Sequence, residues 1–168
     1  MLRADDYDLR AITPTVAKIL DVIVPFGTEV DPISEVLEGI PSAERLVLVV
    51  IDGFGSALWK YVRHAVPTIN RIAELRQMEI ASVMPSTTYV CISSMLTGTS
   101  PNRHGVTNLN DAISAADDPG INTLFDVVKC KGQETLMAVH RKGVAGLPLE
   151  RLVDQAIVVE EANDDEIY

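Results

Sequence analysis

The stretch "LVLVVIDGFGSALW", residues 46–59, places six aliphatic residues directly before a carboxylate, Asp52, and a Gly-x-Gly turn. An apolar run rich in Val and Ile that stops at a turn signal predicts a strand buried on both faces, as in a parallel sheet. We expect this strand over residues 45–51. Open α/β sheets bind their ligands at the carboxyl ends of their strands, so Asp52 is a candidate site residue. Because an unpaired buried charge is costly, its carboxylate should have a partner there.

The composition of the whole chain excludes several classes of protein. With 168 residues, 47% of them hydrophobic and 23% charged, it has the makeup of one compact domain. The formal net charge of −10 opposes binding to a phosphate backbone, so we expect no nucleic-acid partner, whereas a bound cation would be tolerated. Cys91 and Cys130 are too few for a disulfide framework and fit reduced thiols. No apolar run approaches the ~18 residues of a membrane span, so we expect a cytoplasmic protein without a membrane partner.

The order of predicted elements indicates an α/β fold with a mostly parallel, doubly wound sheet flanked by helices. We expect a helical lead-in over residues 1–44, an α/β core over residues 45–160 and a solvated acidic tail over residues 161–168. Besides the first strand, the patterns predict helices at 14–24, 33–39, 56–76 (interrupted by Pro67) and 88–97 (ending at Gly98), a strand at 79–84, a loop at about 107–120, a capped helix in "NTLFDVVKCKGQ", and strands in "TLMAVH" and "QAIVV" (155–159).

A second informative stretch is "MPSTTYVCISSMLTGTSPNRHGV", residues 84–106, in which three hydroxyl residues open an apolar helix. The free N–H groups and the positive end of the dipole at a helix N-terminus can bind an anion such as a phosphate. Ser and Thr are also the preferred N-cap residues, so plain capping is the competing interpretation. In "NRHG", His104 is expected to be a hydrogen-bonded turn residue rather than a ligand.

The stretches at residues 46–59 and 84–106 together predict a site. If strands 45–51 and 79–84 are parallel, both end at one edge of the sheet, and Asp52 meets the hydroxyls of residues 86–88 there. A Thr hydroxyl is a poor nucleophile until a base or a metal ion lowers its pKa, and an Asp is a typical ligand for such a metal. The pattern therefore predicts phosphoryl-transfer chemistry, in which Asp52 binds a metal ion and a Thr attacks.

These residues resemble the alkaline phosphatase superfamily, and within it the type I phosphodiesterase/nucleotide pyrophosphatase branch. The P-x-x-T motif, the following aromatic residue and the later T-G fall on Pro85, Thr88, Tyr89, Thr97 and Gly98, and "SPNRHGV" matches P-x-x-H-G. The resemblance implies an alkaline-phosphatase-like fold and a hydrolase of phosphorylated small molecules. It implies that Thr88 is the catalytic nucleophile and a metal ligand, and that Asp52 binds one of two zinc ions.

Two departures from the family pattern bear on the site. The nucleotide pyrophosphatases follow the aromatic residue with Pro-Asn, and this chain has Val90 and Cys91 there. We therefore assign Tyr89 and Cys91 only a weak role in phosphate or substrate binding. The D-x-x-G-H and D-H-G motifs that supply the other metal ligands are absent, and the histidines are His64, His104 and His140. Because zinc sites use three or four protein ligands, we expect an incomplete site, an N-terminal portion of a hydrolase and an inactive isolated chain.

Two other classes of function stay open. A non-catalytic relative that acts as a binding or scaffold protein explains the missing ligands equally well. A dinucleotide-binding module built on "GFGSAL" is weaker, because Leu58 stands at the third glycine position of G-x-G-x-x-G. For partners, we expect self-association through the open edge of the last strand, 155–159, or binding of a separate C-terminal half.

Overall fold

A computed structural model of the chain describes residues 7–116, 120–140 and 148–159. These ranges contain helices α1 to α8 and strands β1 and β2, together with short 3-10 turns at Leu9–Ala11, Arg63–Ala65 and Pro148–Arg151. The helices are α1 (Ile12–Ile19), α2 (Ser34–Leu37), α3 (Ser56–Val62), α4 (Pro67–Leu75), α5 (Thr88–Thr97), α6 (Pro101–His104), α7 (Leu109–Ala116) and α8 (Leu124–Cys130). The strands are β1 (Leu136–His140) and β2 (Gln155–Val159). None of the helices in these ranges has the length and apolar character that crossing a membrane requires.

Helix α5 is the centre of the larger apolar cluster. Ile92, Met95 and Leu96 on this helix pack with Val106 and Ala112, which follow later in the chain. The Thr13 hydroxyl of α1 also donates a hydrogen bond to the carbonyl of Met95. The helix is therefore held on several sides, which fixes the position of its first residue.

A second cluster joins the beginning and the end of the described chain. Val16, Ala17 and Leu20 from α1 and its end pack against Leu124, Val127 and Val128 of α8. The predicted helical lead-in therefore packs directly on the rest of the molecule, and its boundary at residue 44 stays a prediction.

The predicted helices with clear end signals are confirmed. Helix α5 spans Thr88–Thr97, and Gly98 follows it with φ 71°, a left-handed conformation that favours glycine. Helix α8 begins after Thr123, whose hydroxyl accepts from the Asp126 amide, while the Asp126 carboxylate accepts from the Thr123 amide. Helices α3 and α4 divide the predicted 56–76 segment, and Pro67 is the first residue of α4.

The two N-terminal helices are present but shorter than predicted. Helix α1 ends at Ile19, within the predicted 14–24 range, and Asp21 has a positive φ of 52°, which interrupts the helix. Helix α2 covers only Ser34–Leu37 of the predicted 33–39 range.

The last two predicted strands are confirmed and form a small parallel sheet. Strands β1 and β2 pair in register from Leu136 opposite Gln155 to His140 opposite Val159. The described residues thus combine helices with a two-stranded parallel sheet, which agrees with an α/β fold in this coarse sense. A doubly wound sheet is not formed by them.

The prediction of a buried strand at residues 45–51 is wrong. Residues 46–51 form no helix or strand, and they pair with no strand in the described part of the chain. Val47 is 86% exposed and Val49 is 72% exposed. The aliphatic run has the sequence of a central strand, but a strand is buried only when neighbouring strands and helices cover both of its faces.

The predicted strand at 79–84 is also wrong, because this segment makes only an isolated parallel bridge between Asp8 and Ala81. The loop predicted at about 107–120 instead contains α7, Leu109–Ala116. The Asn108 side chain accepts from the amides of Asn110 and Asp111, which stabilises the start of that helix. The remainder of the predicted loop at 117–119 and the acidic tail at 161–168 lie outside the described residues.

Candidate functional site

The side chains of Asp52 and Thr88 meet at the surface of the molecule. The Thr88 hydroxyl lies 3.2 Å from Asp52 Oδ2 and 3.4 Å from Oδ1, so it donates to one carboxylate oxygen with the other close by. The predicted proximity of these two groups is therefore observed. The predicted reason for it is not, because neither residue ends a strand in the described structure.

Asp52 is positioned by the turn that follows the exposed aliphatic segment. The Phe54 amide donates to the Ile51 carbonyl at 3.3 Å, and Gly53 between them has φ 70°. Trp59 of α3 is buried, and its ring lies 6.2 Å from that of Phe54 in an edge-to-face arrangement. The turn carrying Asp52 is thus anchored on α3 through the contact between Phe54 and Trp59.

Thr88 is positioned by the start of α5. Thr87 is the N-cap residue, and its side chain makes no capping hydrogen bond, although its carbonyl accepts from the Cys91 amide at 2.9 Å. The Thr88 hydroxyl points to Asp52, and Val90, two residues on, is fully buried and fixes the rotation of the helix. Plain capping therefore does not explain the Thr side chains at this N-terminus.

Tyr89 and Cys91 lie next to Thr88 but face different surroundings. Tyr89 is half-buried and packs against the apolar cluster of Ile92, Met95 and Leu96. Cys91 is half-buried and is not in a disulfide. Burial raises the pKa of the Cys91 thiol, the negative charge of Asp52 acts in the same direction, and a hydrogen bond with the Val83 backbone opposes them. The thiol is thus neutral and close enough to Asp52 to sense its charge, and substrate binding by either residue stays a prediction.

Of the histidines whose side chains the structure describes, His64 and His104, neither makes a hydrogen bond with Asp52 or Thr88. His104 is buried at the end of α6 and makes the hydrogen bonds that were predicted for it, while its exclusion as a ligand stays a prediction. His64 is exposed in the 3-10 turn after α3. Nothing is described of the His140 side chain, which belongs to the last residue of β1.

The donor set in the described ranges does not fit a resident zinc ion. The described ranges contain no group of three or more His, Cys, Asp or Glu side chains that could hold a metal. Asp52 and Thr88 offer a carboxylate and a hydroxyl, and zinc sites use three or four protein ligands. No reaction step through a metal follows from these residues alone.

Comparison with known proteins bears on this same region of the chain. Residues 46–124 match the family model of type I phosphodiesterase / nucleotide pyrophosphatase. The match includes Asp52, helix α5 with Thr88, and His104, and it confirms the resemblance found in the sequence motifs. No curated protein and no solved structure matches the chain.

Proposed function

We propose that this chain carries the nucleophile-bearing part of a phosphoester hydrolase related to the phosphodiesterases and nucleotide pyrophosphatases. Thr88 is the proposed nucleophile and Asp52 the proposed metal ligand beside it. The observation that supports the proposal is the 3.2 Å contact between the two side chains, which lie 36 positions apart, inside the segment that matches the family model.

The described residues suit the first step of such a reaction. The Thr88 hydroxyl donates its hydrogen to Asp52, which leaves the oxygen lone pairs free for attack on phosphorus. Thr88 is also the first residue of a ten-residue helix, so backbone N–H groups that have no partner within the helix lie beside it. Those groups can donate to the non-bridging oxygens of a phosphoryl group and stabilise their charge. In the proposed attack, the Thr88 oxygen bonds to phosphorus, its proton passes to Asp52, and the P–O bond to the leaving group breaks and releases the alcohol of the ester. Water would then hydrolyse the phosphorylated threonine and restore its hydroxyl.

The proposal requires more metal ligands than Asp52 and Thr88. Activation of a Thr hydroxyl by a divalent metal, two zinc ions in the resembling family, needs further His or Asp side chains near this pair. We propose that they come from polypeptide outside the described residues, such as a C-terminal half of the catalytic domain. The alternative is a non-catalytic relative, which the test below separates from an enzyme.

The test uses the full open reading frame that encodes these residues, expressed and supplied with zinc or manganese. Hydrolysis of a nitrophenyl nucleotide diester is expected, and Thr88→Ala should lower the rate by a factor on the order of 10³ or more, because the covalent route is lost. Thr87→Ala is the matched control, since it removes a neighbouring hydroxyl that does not contact Asp52. Acid-quenched protein should carry a nucleotidyl group on Thr88, because nitrophenol leaves and the nucleotide stays attached to the threonine oxygen.

Two outcomes would count against the proposal. Hydrolysis that survives Thr88→Ala would assign the nucleophile elsewhere. A complete reading frame without activity that still binds phosphorylated nucleotides would favour the non-catalytic binding protein.

A further inference from the structure

His104 is a buried histidine with both ring nitrogens in hydrogen bonds. Only 4% of the residue is exposed, and it forms the end of α6, next to the middle of α5. Its Nε2 lies 2.9 Å from the Ser94 hydroxyl of α5. Its Nδ1 accepts a hydrogen bond from the Val106 amide at 3.0 Å. One ring thus connects α5 to the segment that follows α6.

The hydrogen bond to Val106 determines which form of the ring fits. A nitrogen that accepts from an amide carries no hydrogen, so the single hydrogen of the neutral ring lies on Nε2 and is donated to Ser94. A second proton would have to bind Nδ1, which would then point a donor at the Val106 N–H. Protonation therefore breaks one hydrogen bond and leaves a buried amide without its acceptor.

The surroundings of His104 favour the neutral ring. Burial holds the pKa of His104 below its ordinary value of 6.5, and the negative charge of Glu29 opposes this only in part. Glu29 already accepts from the Ser100 amide at 2.7 Å and pairs with Arg10 at 3.2 Å. The other charged groups on the elements around the ring are engaged elsewhere or exposed: Asp111 of α7 accepts from Thr107 and Asn108, Asp126 of α8 accepts from Thr123, and Arg103 of α6 is exposed.

We propose that His104 is a pH-sensitive contact. When its ring is neutral, its hydrogen bonds join α5 to the segment after α6, and protonation of the ring breaks this connection. This role is independent of the proposed hydrolase activity.

The direction in which stability should change with pH follows from the neutral and protonated states of the His104 ring. Because the folded protein holds the ring neutral, the unfolded chain binds more protons between the folded pKa of His104 and 6.5. Stability is therefore highest above about pH 6.5 and falls as the pH drops through this window, with the unfolding equilibrium constant rising by up to about tenfold per pH unit. Below the folded pKa the His104 contribution to this pH dependence ends.

The test compares urea unfolding of the chain and of His104→Asn from about pH 7.5 to pH 5. An Asn side chain can accept from Val106 but does not titrate, so the pH dependence of the unfolding constant should weaken by as much as one proton. His64→Asn is the matched control, because it removes an exposed histidine that has no part in the contact between α5 and the segment after α6. Its effect on the pH dependence should be smaller than that of His104→Asn. Equal pH dependence in wild type and His104→Asn would overturn the proposal.

A second measurement uses the wild-type protein and does not depend on the variant folding. Nitrogen NMR of the imidazoles should show His104 with its hydrogen on Nε2 and a titration midpoint below 6.5. A hydrogen on Nδ1, or a midpoint at or above 6.5, would overturn the proposal as well.

Discussion

The Thr88 hydroxyl donates to the Asp52 carboxylate at 3.2 Å, although the two residues are 36 positions apart and α3 and α4 lie between them in the chain. The contact lies at the surface, where a hydrogen bond adds little to the free energy of folding. Its value to the protein is therefore better sought in chemistry than in stability. A hydroxyl and a carboxylate held together at the start of a helix are suited to binding and attacking a phosphoryl group.

A stability measurement can separate these two roles. We expect Asp52→Asn and Thr88→Ala each to change the free energy of unfolding by less than about 0.5 kcal/mol, because the pair is exposed to water. Urea unfolding at neutral pH measures the change. A loss of about 2 kcal/mol or more in either variant would show that the pair is structural and would weaken the proposed function.

The chain of 168 residues on its own should be inactive. The described residues place two oxygen donors together, so zinc should bind weakly and be lost on dialysis. We expect no turnover of nitrophenyl phosphate monoesters or diesters with added zinc or manganese. Metal content and hydrolysis rate are measured on the same preparation. The Asp52→Asn variant gives the background level of bound metal and of hydrolysis. Robust hydrolysis that Thr88→Ala abolishes would show that the site is complete within this chain.

The sequence predicted best those elements whose signals lie within their own segment, and it predicted poorly those features that depend on segments far away in the chain. Helix α5 has its signals within the segment: hydroxyl residues before it, an apolar body and Gly98 after it. Helix α7 has a local signal too, the Asn108 side chain at its start, but the polar composition of the segment was interpreted as a loop. Such end signals fix a helix almost independently of the rest of the chain.

Residues 46–51 show where this kind of prediction fails. Their aliphatic, β-branched composition predicts a buried strand, but they form no regular element in the described residues, and most of their side chains are exposed. Burial and strand pairing depend instead on which other segments lie alongside, and no local pattern specifies those. The contact between Asp52 and Thr88 was predicted from two parallel strands ending at one edge of a sheet. The contact is observed, but those two strands are not formed by the described residues.

Gly98 should be the more sensitive of two glycines that end helices. Both Gly98 and Gly105 have φ near 70°, so alanine at either position is strained. A Cβ on Gly98 would also lie 2.8 Å from Cγ2 of Thr28, whose hydroxyl is held by the Pro25 carbonyl at 2.9 Å, whereas the space around Gly105 is open. We expect Gly105→Ala to cost about 1 kcal/mol of the free energy of unfolding and Gly98→Ala about 3 kcal/mol. Equal losses in urea unfolding would contradict the contact with Thr28.

The exposed segment 46–51 should make the isolated chain self-associate. Within the described residues its backbone groups from Leu46 to Val50 make no hydrogen bond, and Val47 and Val49 are among the most exposed aliphatic side chains. An open apolar strand with free N–H and C=O groups pairs readily with the same segment of a second copy. Val49→Lys places a charge in that pairing and should shift the molecular mass measured by light scattering towards the monomer. Gln77→Lys, an equal charge change at an exposed polar position, is the control and should leave the mass distribution as in wild type. A wild-type chain that stays monomeric at high concentration would mean that residues 46–51 are covered in solution, and self-association through them would then be ruled out.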